Sequence, residues 1–317
     1  MTDTMKRFYG SQSFPREMRP TAVALGVFDG VHLGHRELLR RARDAAARTG
    51  GVSVAYTFEP HPVRVLAPAE CPPQLTTAEQ KLLLIERYGV DAAVVEPFTH
   101  EFGKIDPQSF FRDVIVGRLG AATLVAGYDF TFGRHRHGTI DVIEALGSEY
   151  GVETIIVPAI FIGETLISST LIRRMISRGE VNQANELLGR PYSIEGTVVP
   201  GRGIGRELAA RTANIESDND LILQYGVYVT RTLVEGRKYA SITSVGDNPT
   251  FSDAPFAIET HLIDVEADIM GKRISIEFLS FMREQIRFGR QEELRAQIAR
   301  DIDDAREYHR GFYPPPL

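Results

Sequence analysis

Gly26-Val-Phe-Asp-Gly-Val-His-Leu-Gly-His35 follows directly on the apolar run Thr21 to Leu25 and leads into the segment Arg36 to Arg48. An apolar run that breaks at glycine and then sets two histidines three apart reads as strand, tight turn and helix. That spacing puts His32 and His35 on one face of the first helical turn. The free amides and the positive end of the helix dipole lie there too, a natural place for phosphate. Gly26, Gly30 and Gly34 would let a phosphate chain approach the backbone without meeting a Cβ. Imidazoles there can donate hydrogen bonds to oxygens that gain charge as a phosphoanhydride opens. The stretch argues for nucleotide chemistry.

Around it, the chain has the composition of an ordinary globular protein. At 317 residues it exceeds one typical domain, so two are expected, each able to bury a core. Hydrophobic residues make up 43% and charged residues 25%. A net charge of −6 and a pI near 5.8 argue against sequence-independent binding to nucleic acid. Met1 to Gly10 show no positive segment leading into an apolar one, and no apolar run approaches membrane length. The single cysteine, Cys71, has no disulfide partner and no Cys or His at zinc spacing. A cytoplasmic protein without membrane or nucleic-acid partners, monomeric or weakly homo-oligomeric, is the expectation.

The pattern changes once along the chain. Up to about Leu188, apolar runs near 22–28, 52–58, 91–96, 122–126 and 152–158 alternate with helical patterns near 34–49, 78–88, 107–118 and 139–150. A helical pair follows across 169–188. Such alternation predicts a parallel, Rossmann-like sheet whose ligands sit beyond the carboxyl ends of the strands. After Gly189-Arg-Pro191 come strand-like runs without helices between them, at Tyr192 to Val199, Gly226 to Val234, Lys238 to Val245, Phe256 to Ile263 and Ile274 to Phe281. They predict an antiparallel barrel, closed by an amphipathic helix from Gln291 to His309 that Gly311 and Pro314 end. The expected domains are therefore 1–188 and 189–317.

Common ATP signatures are absent. Neither Gly103-Lys104 nor Gly271-Lys272 is followed by Ser or Thr, so there is no Walker-type loop, and Gly201-Arg-Gly-Ile-Gly205 has the wrong spacing for a dinucleotide fingerprint. Ile167-Ser-Ser-Thr-Leu-Ile-Arg173 opens a predicted helix, where Ser168 or Ser169 suits an N-cap. Tyr56-Thr-Phe-Glu-Pro-His-Pro62 and Gly127-Tyr-Asp-Phe-Thr-Phe-Gly133 each end a predicted strand. Alternation places Phe130 and Phe132 on one face, which makes core packing an alternative to ligand contact for one of them. Arg134-His-Arg-His137 reads as a solvated basic loop.

The first stretch resembles the His-x-Gly-His motif of the nucleotidylyltransferase superfamily, and Phe28-Asp-Gly-Val-His32 is similar to the bacterial bifunctional riboflavin kinase/FMN adenylyltransferases. Ile167 to Arg173 resembles that family's Ile-Ser-Ser-Thr-x-x-Arg, and the strand-end segments resemble its Thr-Phe-x-Pro-His-Pro and Gly-x-Asp/Asn-Phe-x-Phe-Gly. Further on, Leu188 to Arg206 is similar to the opening of its kinase domain. Thr212-Ala-Asn214, Gly246-Asp-Asn-Pro-Thr-Phe251, Glu259-Thr-His-Leu-Ile-Asp264 and the Arg283 to Phe288 loop then follow in the family's order. The resemblance runs from about Thr21 to Tyr308.

It implies an α/β Rossmann-like nucleotidylyltransferase domain followed by a small antiparallel β-barrel domain with a C-terminal helix. The implied activity is FAD synthesis from FMN and ATP, with phosphorylation of riboflavin to FMN as the second activity. Riboflavin, FMN and ATP would be substrates and Mg²⁺ the metal. By resemblance, His32, His35 and Arg173 would be catalytic in the first reaction. Gly26, Phe28, Gly34, Ser169, Thr170 and Arg173 would bind its ATP, and Phe58, Asp129 and Phe132 its flavin. In the second, Thr212 and Asn214 would hold Mg-ATP and ligate the metal, Glu259 would be the base, and Arg283 would lie over the flavin. The family's Gly-Phe-Pro before Thr-Ala-Asn is replaced by Ala209-Ala-Arg211, which predicts a kinase activity weaker than adenylyl transfer, or lost. The alternatives are adenylyl transfer alone, a cytidylyltransferase distinguished by CTP dependence, and a non-catalytic flavin-binding regulator.

Overall fold

The structure is a computed structural model and describes residues 4–200, 212–247, 256–265 and 267–312. By its internal contacts the chain forms two compact units, Met1–Ser169 and Thr170–Leu317. The border lies at the start of the helical pair, which groups with the second unit.

The first unit is built on a six-stranded sheet. Its elements are β1 (Lys6–Tyr9), β2 (Thr21–Leu25), α1 (Leu33–Thr49), β3 (Val52–Glu59), α2 (Pro62–Leu66), α3 (Ala78–Arg87), β4 (Ala92–Pro97), α4 (Pro107–Ser109), β5 (Ala121–Gly127), α5 (Ile140–Tyr150) and β6 (Glu153–Val157). The order β1-β4-β3-β2-β5-β6 is parallel throughout. All five residues of β2 are buried, which is why its sequence is an unbroken apolar run rather than an alternation. Val23 and Leu25 point to one face, with Tyr56, Phe110 and Phe111, while Ala24 points to the other, with Leu38, Leu39 and Ala42 of α1. Helices therefore cover both faces.

β1 was not expected; its Lys-Arg-Phe-Tyr sequence has no apolar run, and it enters the sheet by pairing with β4. The first core strand stops at Leu25 rather than 28, because Gly26 begins the turn. The helix expected across 107–118 changes after α4 to a π-helical stretch, Phe110–Arg118, which buries Phe110, Phe111, Val114 and Ile115. A short hairpin, β7 (Phe161–Ile162) and β8 (Thr165–Leu166), follows β6.

The second unit comprises α6 (Ser169–Ile176) apart from its first residue, Ser169, which belongs to the first unit, together with α7 (Val181–Leu188), β9 (Tyr192–Val199), β10 (Thr212–Ser217), β11 (Gly226–Val234), β12 (Arg237–Gly246), β13 (Ala257–Leu262), β14 (Arg273–Arg283) and α8 (Gln291–Phe312). The six strands close into a barrel in the order β10-β13-β12-β11-β14-β9, every pairing antiparallel. β10 was not expected as a strand, since Thr-Ala-Asn-Ile-Glu-Ser carries one buried residue, Ile215. α8 runs through Gly311 to Phe312, so Gly311 does not end it. Pro314 lies outside the described residues.

The barrel interior is partly polar. Thr230 Oγ1 lies 2.8 Å from both Ser241 Oγ and Thr243 Oγ1, Thr232 Oγ1 lies 2.8 Å from Ser241 Oγ, and Thr243 Oγ1 donates to Thr260 Oγ1 at 2.9 Å. All five hydroxyls belong to buried residues, and each is satisfied by another strand, so burial costs little. α8 packs Ile302, Ala305 and Tyr308 against Val227, Val229 and Ile242. His309 Nε2 meets Thr230 O at 2.9 Å, and burial pushes its imidazole below the usual pKa.

α8 is also pinned by charge. Arg283 binds Asp301 through Nε at 3.0 Å and Nη2 at 2.6 Å, with Asp301 4% exposed, and Gln297 Nε2 adds a 2.8 Å bond to the same carboxylate. Removing one partner of such a pair strands the other. Asp301→Ala should therefore destabilise the barrel by about 3 kcal/mol in calorimetric unfolding of the full chain. An unchanged midpoint would show that the pair behaves as a solvated surface bridge.

Candidate functional sites

The strand order of the first unit reverses at β2: the chain moves outward to β3 and β4 on one side, then returns to place β5 on the other. Open α/β sheets present ligands at the carboxyl end of such a switch point. Ala24 of β2 is in register with Val125 of β5, so the turn after Leu25 and the segment from Gly127 leave adjacent strands. Two of the quoted sequence segments therefore meet at one edge.

The turn itself is strained and tightly held. Phe28 at φ 56° and Val31 at φ 38° are left-handed, an arrangement costing about 1–3 kcal/mol each. Both side chains are fully buried. The Asp29 carboxylate accepts from Leu75 N at 2.9 Å and Thr76 N at 3.2 Å, and Gly30 N donates to Thr76 Oγ1 at 3.3 Å. Thr57 Oγ1 donates to Val27 O at 3.0 Å. These bonds fix the turn against the segment before α3 and the end of β3.

His32 is the N-cap of α1, its Nδ1 accepting from His35 N at 3.3 Å. Thus one of the amides expected to face phosphate is taken by His32. An accepting Nδ1 puts the proton of the neutral ring on Nε2, leaving that atom as the donor. The two imidazoles stack, with centroids 3.7 Å apart and planes at 15°, and Phe28 meets His35 edge-on at 5.4 Å. A Cβ on Gly34 would come within 3.1 Å of the His32 ring, so the glycine makes room for the imidazole rather than only for a ligand. Gly26 N continues the ladder to Tyr56 O at 3.1 Å.

The other expected residues of this unit divide. Phe58 and Phe132 are 6% and 8% exposed and belong to the aromatic core, Phe58 meeting Tyr56 and Phe98 edge-on. Phe130 stacks on Phe132 at 6.2 Å and is only partly covered. Asp129 is exposed. Ser169 Oγ donates to Asp29 O at 2.9 Å, joining the start of α6 to the histidine turn. Thr170 and Arg173 follow on α6, with Arg173 one helical turn beyond Ser169.

In the barrel, Asn214 and Glu259 are direct cross-strand partners, and Thr212 pairs with His261. Ile258, Thr260 and Leu262 are buried, so Glu259 and His261 point away from the interior. Three of the expected site residues thus share one patch of sheet, with His261 the neighbour that sequence reading did not single out. Arg283 is anchored, its guanidinium engaged by Asp301. Gly201–Arg211, including Ala209-Ala-Arg211, and Asn248–Phe251 lie outside the described residues.

Two features escaped sequence reading. Asp29 sits inside the quoted motif, but its amide partners are 46 and 47 residues away. Lys81 is 6% exposed, with Nζ 3.1 Å from Phe58 O and 3.6 Å from Glu59. Burial pushes the Lys81 ammonium below its ordinary pKa, opposed by the charges of Glu59 and Asp29. Among the described residues no group of three or more His, Cys, Asp or Glu side chains is placed to hold a metal.

A histidine-capped helix at the switch point of a parallel sheet, followed by an antiparallel barrel, defines a two-part α/β and β-barrel protein with a candidate site in its first half. Comparison with known proteins is specific. The family model described as FAD synthetase matches residues 14–171, and that described as riboflavin kinase matches residues 188–309. A bifunctional riboflavin kinase/FMN adenylyltransferase of Listeria monocytogenes is 36% identical over 90% of this chain and 91% of its own. Proteins of the same name from Bacillus subtilis and Escherichia coli are 34% and 33% identical, covering 92% and 90% of this chain and 93% and 92% of theirs. The chain belongs to the bifunctional riboflavin kinase/FMN adenylyltransferase family. A crystal structure from Streptococcus pneumoniae titled as a macrolide-efflux protein matches with a TM-score of 0.84 at 29% identity, over 95% of this chain and 99% of that one. No helix among the described residues is long and apolar enough to cross a membrane.

The turn gives a direct test of its own geometry. Gly30 has φ +77°, and a Cβ there would lie 2.7 Å from Leu75 Cδ1, itself buried. Gly30→Ala should cost about 1–2 kcal/mol from backbone strain alone, and more from the clash, lowering the calorimetric midpoint of the full chain by several degrees. A midpoint equal to that of the parent would mean that the turn is not constrained as described.

Proposed function

We propose that the chain makes FAD in two steps, phosphorylating riboflavin to FMN at the barrel and transferring AMP from ATP to FMN at the switch point of the parallel sheet. The observation that carries the first-unit assignment is the stacked His32–His35 pair at the start of α1, beside the exit of β5. Membership of the bifunctional family supports the pairing of activities, and the start of the kinase match at residue 188 supports a functional border at 188/189.

In adenylyl transfer, a phosphate oxygen of FMN attacks the α-phosphorus of ATP. A new P–O–P bridge forms and pyrophosphate leaves. Negative charge grows on the α-phosphate and on the departing oxygen. His32 Nε2–H and the His35 imidazole supply donors to that charge, and Arg173 supplies a planar fork for phosphate oxygens. Phe28 is fully buried, so its part in ATP binding is through its backbone and through support of His35. Gly26 and Gly34 would border the phosphates with backbone, Thr170 would add its hydroxyl, and Ser169, whose hydroxyl is given to Asp29 O, would add its backbone amide. Phe130, Phe132 and Phe58 would form the wall behind the flavin, with Asp129 at its polar edge.

In the kinase step, Glu259 accepts the proton of the ribityl hydroxyl as its oxygen attacks the γ-phosphorus and ADP leaves. Thr212 and Asn214 offer neutral oxygen donors beside Glu259, a set that suits Mg²⁺, which binds few protein oxygens together with substrate phosphates. The ion would offset phosphate charge there. Arg283 would act on the flavin through the loop that it anchors. The protein would work on small molecules in the cytoplasm.

Incubation with riboflavin, ATP and Mg²⁺, followed by chromatography, should show FMN and FAD. Replacement of ATP by CTP should abolish FAD, and formation of neither product would refute the reading. His32→Ala or His35→Ala should lower FAD turnover about a hundredfold or more, with FMN binding changed far less.

The two sites should separate by mutation. Arg173→Ala should impair FAD formation and spare FMN formation, while Glu259→Gln should do the reverse. Loss of both activities from either well-folded variant would contradict two independent sites. Restoring Gly-Phe-Pro at 209–211 should raise FMN production if the native turn limits the kinase; equal, substantial activity would show that the turn is tolerated.

A further inference from the structure

We infer that Asp29 is a positioning residue for adenylyl transfer: it sets the strained turn that aims His32 and His35 and ties that turn to the serine-threonine signature at Ser169. The inference rests on the adenylyltransferase reading and adds a residue to it.

Asp29 is 5% exposed. Oδ1 and Oδ2 accept from Leu75 N at 2.9 and 3.1 Å, and Oδ1 also accepts from Thr76 N at 3.2 Å. Its carbonyl oxygen accepts the Ser169 hydroxyl at 2.9 Å. One residue thus holds three separate segments: the histidine turn, the approach to α3 and the start of α6.

Position makes this matter for rate. Phe28 and Val31, on either side of Asp29 and Gly30, both have left-handed backbone. Such a conformation persists only where neighbours over-determine it. Val31 leads directly into His32, whose ring is already committed on one edge to His35 N. A shift of the turn would therefore move both imidazoles together, and misplacement by about 1 Å can cost a hundredfold in rate. Lys81, buried on α3 and also bonded to Phe58 O, supplies positive charge that offsets the buried carboxylate. Asp29 acts through the histidines and Ser169.

Asp29→Asn is the main test, because it preserves shape but turns one carboxylate oxygen into an amide that opposes a backbone N–H. FAD formation should show kcat at least tenfold lower, with KM for FMN and ATP within about threefold. Riboflavin phosphorylation by the same preparation should change little, and its thermal midpoint should fall by only a few degrees, leaving the protein folded at the assay temperature. If Asp29→Asn does not accumulate folded, Thr76→Val decides instead. It removes the acceptor for Gly30 N, and it should lower kcat about threefold with the same KM pattern. A kcat within twofold of the parent, an effect confined to KM, or a parallel loss of both activities would each overturn the inference. A parent protein that makes no FAD would overturn the functional reading itself, whereas an active parent with an equally active Asp29→Asn would overturn only the role of Asp29.

Discussion

The reversal of strand order at β2 is the constraint on which the first unit depends. With β3 on one side of β2 and β5 on the other, the chain winds outward from β2 in opposite senses, the arrangement that opens a crevice at the carboxyl edge of a parallel sheet. The turn after Leu25 and the segment after Gly127 must both open there. Everything assigned to this edge follows from that placement: a helix start with its dipole, two stacked imidazoles, and the Phe130–Phe132 pair. Small residues on one face of the sheet, Ala24, Ala55 and Ala93, lie with Leu38, Leu39 and Ala42 of α1, so the helix is seated on the strands whose edge it serves.

The barrel solves a different problem. It has no reversal to exploit, and its site depends on register. A slip of one residue between β10 and β13 would turn Glu259 toward the interior and bring Thr260 out. The Thr230, Thr232, Ser241, Thr243 and Thr260 hydroxyls oppose such a slip, because moving them would leave buried donors and acceptors without partners. The polar interior thereby fixes where the outward carboxylate stands, and the Arg283–Asp301 pair fixes where β14 meets α8.

Much of this was legible in sequence, for a physical reason. Buried parallel strands and amphipathic helices write periodic apolar patterns, and β2, β3, β4, β5 and β6 were all anticipated. β1 and β10 were not, because edge position and a polar face remove the pattern. Of the site, the spacing of His32 and His35 put them on one face of the first helical turn, while their ring stacking came from the structure. Lys81 was invisible, since a lysine in a helix reads as a solvated residue until the fold buries it. The Arg283–Asp301 pair was hidden too, because a loop motif carries no record of a helix folding back from residue 291 to bind its guanidinium.

The histidine turn combines strain with satisfaction. A left-handed Phe28 and Val31 raise the energy of the turn, yet Gly30 N, Leu75 N, Thr76 N and the Asp29 carboxylate all find partners within it. Relaxing the backbone would break those bonds in a place water does not reach, so the strained form is the cheaper one. In the proposed adenylyl transfer, a turn built this way would not need to reorganise as charge develops on a phosphate, which is the condition under which fixed donors stabilise a transition state more than a ground state. The anchoring carboxylate is met by the Leu75 and Thr76 amides, and these bonds offset the cost of burying its charge.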